Sequence, residues 1–364
     1  MTWIAMSIGV AFALNIGASG TAAAMGAAYG GKAVTRRKAQ WLAGLFALLG
    51  SVVGGGAVVV RIGNGIVPEG MITVTGAIVI LASACMTLAL ANYMRIPLST
   101  SEVTVGAVVG LGLAIGTLSV PTVLFIVSAW IVFPLLVGGL SWLCGRFIHN
   151  PLNRWFQRSK AHRWGARLLA FGLVGGGCFE AFAAGTNNVA NALGPLVGAG
   201  IIDMHTGLWL GGLAVGVGAA SIGGRVLETN GRLTRLTLLG GAFVSLIAGS
   251  LTIIASMFGI PVPLTQGTTA AIAGLGAGSG GTRSLDMTLV KRIGVVWVTS
   301  PVTSLMFAYI AMLNETTRTP GIELPVIVLI GGATTAFLFR QAKMGQLHQA
   351  KATADTQTSR ETAA

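Results

Sequence analysis

The sequence predicts an all-α protein: a polytopic transmembrane helical bundle of two inverted repeats, each with a broken first helix and a proline-broken, hairpin-like segment. Three observations predict it. Hydrophobic residues make up 53% of the 364 residues and charged residues only 9%, where a soluble domain carries about 25% charge. Apolar stretches of about 20 residues, the length that spans a hydrocarbon core, recur along the whole chain. The first half of the chain also repeats in the second.

Eleven apolar stretches fall near 3–29, 40–60, 71–94, 97–118, 119–145, 167–198, 206–223, 236–258, 260–281, 290–313 and 322–339. The 54 glycines suit close helix contact in lipid, where small side chains let backbones approach. The N-terminus has no basic stretch before its apolar run, so 3–29 reads as a first span and not as a cleaved signal. The polar tail after Arg340 has the composition of a disordered segment.

The formal charge of +13 would suggest nucleic acid in a soluble chain. Here the cations sit in short gaps between spans, as cytoplasmic loops do. Lys32, Arg36, Arg37 and Lys38 follow the first span. Arg146, Arg154, Arg158, Lys160, Arg163 and Arg167 fill the loop at 146–167. Arg225, Arg232 and Arg235, then Arg283, Lys291 and Arg292, and finally Arg340 and Lys343 continue the series. All fit one orientation, N-terminus outside and C-terminus inside, provided that 97–118 and 260–281 each cross once. Arg95 and Arg318 are minor exceptions on the opposite side.

The repeat is visible residue by residue. Asn15–Gly26 aligns with Ala183–Gly194 at an offset of 168, and Gly55-Gly56 with Gly223-Gly224. Ile96-Pro97 aligns with Ile260-Pro261, and Gly110-Leu111-Gly112 with Gly274-Leu275-Gly276, at an offset of 164. Trp130 and Trp297 pair next, each four residues before a proline, Pro134 and Pro301. Five spans per half is an odd number, so the second half starts on the opposite side of the membrane. The expected units are repeat 1 at 1–145, a basic linker at 146–166, repeat 2 at 167–313, a further span within 314–340 and a tail at 341–364.

Inverted-repeat carriers bind substrate near the midplane, at helices broken by Gly or Pro. The first pair of candidate segments holds Ser19, Gly20 and Thr21 in one half and Asn187, Asn188 and Asn191 in the other. Three Asn in a run of Ala and Val favour neither helix nor hydrocarbon. They should face a cavity, or else bond between helices as packing glue. The second pair is Pro97-Leu98-Ser99-Thr100-Ser101-Glu102 and Pro261–Thr269, the latter with Thr265, Gln266, Gly267, Thr268 and Thr269. Each reads as a proline break followed by a fresh helix N-terminus, whose free N–H groups suit an oxyanion. Ser99-x-x-Glu102 is also a capping box, which would satisfy that helix end without a ligand. A carboxylate inside a span costs about 2.5–3.5 kcal/mol on insertion scales, which makes Glu102 and Glu180 the expected proton-coupling residues.

Cys85, Cys144 and Cys178, with His149, His162, His205 and His348, show no ligand spacing. No metal, cofactor or disulfide framework is therefore expected. No HExxH, Ser/His/Asp set or paired carboxylates suggest an enzyme.

At these residues the chain resembles the inorganic phosphate transporter (PiT) family. That family carries a duplicated Gly-Ala-Asn-Asp-Val-Ala-Asn-Ala signature and a Pro-x-Ser-Thr-Thr-type motif in each half. Gly185–Ala192 matches the signature closely, and Gly17–Ala24 in degenerate form. Pro97–Ser101 matches the second motif, and Pro263–Gln266 partly. The family's signature aspartates, which serve its sodium and phosphate site, fall at Gly20 and Asn188, so both are missing here. The runs Asn15–Gly20 and Ser99–Gly106 resemble the sulfate permease (CysP-type) branch of that family.

Sulfate at neutral pH carries no proton, whereas phosphate offers O–H donors, so exchanging two carboxylates for neutral groups favours sulfate. The expectation is therefore import of sulfate or a related tetrahedral oxyanion across the cytoplasmic membrane of a bacterium, coupled to protons. Sodium is the less favoured coupling ion. Phosphate transport is the alternative, and a passive oxyanion channel a third reading. The bilayer is the other expected partner, no nucleic acid is expected, and a homodimer is left open.

Overall fold

The structure is a computed structural model, and it describes residues 1–21, 24–93, 98–158, 162–224, 227, 236–280 and 287–317. The expected span at 322–339, the tail and Pro97 lie outside them. The described residues form helices and no strand. In chain order these are α1 (Thr2–Ile16), α2 (Gly26–Gly30), α3 (Arg36–Gly54), α4 (Gly56–Val60), α5 (Val74–Tyr93), α6 (Thr100–Ala114) and α7 (Val120–Cys144). Then come α8 (Asn150–Arg158), α9 (His162–Gly198), α10 (Met204–Ser221), α11 (Leu238–Met257), α12 (Leu264–Gly280) and α13 (Met287–Thr317). Turns of π-helix follow α1 (Gly17–Thr21), α4 (Arg61–Gly65) and α7 (Gly145–His149). The stretch expected as a linker, 146–166, is thus helical over most of its described length.

Five described helical stretches are long and apolar enough to cross a membrane: Thr2–Gly20, Val74–Ala91, Val120–Phe156, Arg167–Gly198 and Leu238–Met257. A sixth is possible if Arg36–Gly54 and Gly56–Gly65, bent by 67° to one another, count as one span. Gly54-Gly55-Gly56 allows that bend, and the glycines press on α9, where a Cβ on Gly55 would meet Val189. Exposed Trp, Leu, Ile and Phe side chains along α7 point away from the bundle, as lipid-facing residues do.

Glycine sets the helix crossings, and it does so reciprocally. Gly17 has no room for a Cβ against the Val215 carbonyl, and Gly185 none against that of Ala47. Gly17 and Gly185 are 168 residues apart, as are Ala47 and Val215. Gly50 abuts the Phe182 carbonyl and Gly218 that of Leu14, again the same pair with halves exchanged. Gly110 against Leu305 and Gly274 against Gly138 repeat the pattern further on. Accordingly α6 packs along α13 while α12 packs along α7, and α3 lies against both α9 and α10.

Two helices start near the middle of this bundle. The N-terminal turns of α6 and α12 touch through Glu102 and Gln266. From there α6 runs towards the 66–73 loop, with Gly112 beside Val67. α12 runs the other way, to Ser279, whose carbonyl accepts from Asn150 Nδ2. The 25-residue α7 separates those two ends: Ser119 at its start bonds to Ile66, and the 145–149 turn lies at its close.

One expected break differs. α1 ends at Ile16 and gives way to the π turn, but its counterpart 183–194 is continuous helix within α9. The reason lies in the asparagine side chains. Asn normally competes with the helix by bonding nearby backbone, and here each amide is engaged by another element instead.

Candidate substrate site

The N-terminus of α6 supplies hydroxyls and the middle of α9 supplies amides. Thr100 Oγ1 donates to Asn188 Oδ1 at 3.2 Å, and Ser101 Oγ to Asn187 Oδ1 at 3.0 Å. Asn191 Nδ2 donates to Thr100 Oγ1 at 3.0 Å and lies 3.4 Å from Ser101 Oγ. Asn187 Nδ2 in turn donates to Ser256 Oγ and to the Ile260 carbonyl, both at 3.2 Å. Thr100, Ser101, Asn187, Asn188 and Asn191 are all buried. The three asparagines therefore bond between helices, and together they form one buried polar cluster.

The capping box forms only by half. Ser99 Oγ accepts from the Glu102 backbone N–H at 3.4 Å. The Glu102 carboxyl turns instead to α12, where its Oε1 accepts from Gln266 Nε2. Glu102 is 2% exposed and Gln266 likewise. Glu102 Oε2 and Asn191 Oδ1 are buried and have no hydrogen-bond partner among the described residues. Two acceptor atoms in the cluster thus await a donor, a costly arrangement in an apolar interior.

Gly20 faces the same cluster from α1's π turn: a Cβ there would lie 3.4 Å from Asn188 Nδ2. The two positions that correspond across the halves, 20 and 188, meet each other. Ser19 does not join them, since its hydroxyl returns to the Asn15 carbonyl at 2.9 Å. Thr21 closes that turn.

The second break divides its residues. Gln266 reaches Glu102. Thr268 Oγ1 donates to Glu180 Oε1 at 2.6 Å, and Ser245 also bonds that carboxylate. Thr269 Oγ1 caps back onto the Thr265 carbonyl at 2.8 Å, and Gly267 exists to clear the Phe133 ring. Gly267 and Thr269 are therefore not brought to the cluster. Glu180 forms a second polar group, two turns down α9 from Asn187. Sequence reasoning missed Ser245 and Ser256, two of the four hydroxyl residues in an apolar run. Their spacing of three helical turns on α11 was the available signal.

A lipid-compatible bundle whose two short helices begin at a buried polar cluster is the architecture of a membrane transporter. The comparisons define it further. The family model described as the phosphate transporter family matches residues 16–308, and the chain belongs to that family. It is 42% identical to the sulfate permease CysP of Bacillus subtilis (strain 168) over 327 residues, 88% of this chain and 91% of that one. It is 25% identical to the chloroplastic inorganic phosphate transporter 2-1 of Arabidopsis thaliana, over 83% of this chain and 70% of the relative. A solved structure titled as the sodium-dependent phosphate transporter superposes with a TM-score of 0.77 at 23% identity, covering 86% of this chain and 98% of that one. That likeness shows the fold. Like these relatives, the chain is a transporter and not an enzyme.

Proposed function

We propose that the protein imports sulfate by secondary active transport, with protons as the coupling ion and Glu102 as their carrier. One observation carries the reading. The cluster where α6, α9 and α12 meet is built of neutral hydroxyls and amides, and Glu102 is its one ionisable member among the described residues. Sulfate needs donors on every oxygen. Thr100, Ser101, Asn187, Asn188, Asn191 and Gln266 can turn hydroxyl or amide hydrogens to it, and the α6 N-terminus adds backbone N–H groups. Gly20 and Asn188 leave no fixed negative charge at the paired positions to repel a dianion. The 42% identity to a sulfate permease supports the same substrate.

In this reading a proton on Glu102 turns the unpartnered Oε2 into a donor. It neutralises part of the dianion's charge and leaves when the site opens to the other side. The reciprocal helix contacts support two halves inverted in the membrane, which rock about the cluster to alternate access. Glu180, with Thr268 and Ser245, is the second candidate for a proton step.

Uptake of labelled sulfate into proteoliposomes tests this. An inward proton gradient should drive accumulation, and excess phosphate should not compete. Sodium dependence with no response to pH would overturn the coupling, and block by phosphate would overturn the substrate. The second reading, phosphate, is favoured by the unpartnered Glu102 Oε2 and Asn191 Oδ1, which could accept the O–H groups of a protonated phosphate.

A further inference from the structure

The face bearing the 66–73 loop is poor in charge, and its cation at the end of the 40–60 run drew no attention in the sequence. Arg61 opens the π turn after α4 and lies in an open pocket of about 480 Å³. Ala57, Val60, Asn64, Met257 and Phe258 line the pocket with it. Among the described residues, the guanidinium partners are two backbone carbonyls and a ring: Nε reaches Gly259 O at 3.3 Å and an Nη reaches Phe258 O at 3.4 Å. The Phe125 ring centroid lies 5.9 Å from its central carbon. None of these neutralises it, and two long bonds leave most of its five N–H donors available.

The pocket wall is the chain segment that enters the candidate substrate site. Gly259, at a φ of +66°, presses its backbone on the Ala57 carbonyl, so only glycine fits that turn. The next carbonyl, Ile260 O, accepts from Asn187 Nδ2, and Pro261 O accepts from Trp130 Nε1 at 2.9 Å. Pro263 then begins the turn that presents Gln266 to Glu102.

We propose that Arg61 is an outer oxyanion site, separate from the central cluster, where the transported anion is first held by the guanidinium fork. A planar guanidinium binds a tetrahedral oxyanion through two parallel bonds, stronger than those it makes to the carbonyls. The arriving anion takes the donors that Phe258 O and Gly259 O leave free. The chemistry recognised is a tetrahedral oxyanion. A lipid headgroup phosphate offers the same chemistry, and the inference commits to the free anion. It rests on the reading of the protein as an oxyanion carrier.

The test uses full-length protein in vesicles and whichever oxyanion the wild type accumulates. Failure of wild type to accumulate sulfate would therefore strike the sulfate reading and not this one. Arg61→Gln should raise the external half-saturation concentration about tenfold, in line with loss of electrostatic steering. It should leave the maximal rate within about twofold and abolish the fall in uptake with ionic strength. Arg61→Lys, which keeps charge without the fork, should retain the ionic-strength response and show an intermediate half-saturation. Should the Gln variant not reach the membrane, an unchanged half-saturation in the Lys variant would overturn the site. So would a change in maximal rate alone in either variant. An Arg61→Gln defect that appears only with phosphatidylglycerol in the vesicles would assign the pocket to lipid and overturn the free-anion site.

Discussion

The two proline-broken segments occupy equivalent places in the fold and carry different chemistry. Position 102 is a glutamate and its counterpart 164 residues on is Gln266, and the two side chains bond each other where their helices begin. Thr104 and Thr268 are likewise counterparts. Thr268 donates to Glu180, whereas the buried Thr104 hydroxyl has no partner among the described residues. The position matching Glu180 in the first half is the buried Phe12. Gly20 and Asn188 complete the series. Backbone contacts are shared by both halves, while each ionisable group is supplied by one half only. Two like carboxylates facing each other would raise one another's proton affinity; here a carboxyl faces an amide instead.

Removing that difference should have the largest effect. Glu102→Gln places two amides face to face and deletes the titratable group, so proton-driven accumulation of sulfate should fall about a hundredfold, the equivalent of about 3 kcal/mol. Sulfate counterflow without a gradient should persist, and loss of counterflow too would locate the damage in binding instead. Asn188→Asp restores a charge opposite Gly20. It should lower sulfate uptake about tenfold or more and let phosphate compete, read as inhibition of labelled sulfate uptake.

The threonine pair separates a working hydroxyl from an idle one. Thr268→Val leaves the buried Glu180 short of a donor and should cost about 1–2 kcal/mol, seen as a lower Tm in detergent. Thr104→Val removes a hydroxyl with no partner and should leave Tm unchanged or raise it. Equal losses from both would break the comparison. The smallest effect concerns the helix caps. Asp203 accepts from the Thr206 N–H at 2.9 Å, while its counterpart Thr35 makes no side-chain cap to α3. That backbone bond holds the Asp203 carboxyl below its ordinary range. The cap should therefore stabilise at neutral pH and lose its effect as pH falls through the lowered value. Asp203→Ala should reduce Tm slightly at pH 7 and not at all well below it, whereas Thr35→Ala should show no such pH dependence.

Much of this was legible in the sequence because membrane spans and their duplication are written in composition and spacing. The offset of 168 pairs a glycine crossing with its counterpart in the other half, Gly17–Val215 with Gly185–Ala47. Glu102 and Gln266 could be aligned as counterparts, but their meeting depended on two helices starting at one depth from opposite faces, a long-range fact that no local pattern records. Where the side chains at 267 and 269 face was hidden for the same reason. A run of small and hydroxylic residues serves equally to approach a ring, as Gly267 does, or to bond its own helix, as Thr269 does. Ser245 and Ser256 went unread because scattered hydroxyls, here with Ser250 and Thr252 among Leu, Ile and Ala, are common helix glue in lipid. Asn188 was readable by type, since an amide in such a run needs a partner wherever it falls.

The glycine crossings also bear on motion. Where main chain rests on main chain, a helix cannot slide by a residue without driving a Cβ into a carbonyl, so each crossing works as a pin. The tightest pins fall into two groups. Gly17, Gly44, Gly50, Gly185 and Gly218 tie α1, α3, α9 and α10 together; Gly106, Gly110, Gly274 and Gly278 tie α6 to α13 and α12 to α7. Between the groups stand the Thr100, Ser101 and asparagine hydrogen bonds, beside an apolar contact that includes Phe12, Val103, Val189 and Ala308. In the proposed alternating access, such a molecule would bend along its polar seam and keep its two pinned groups stiff.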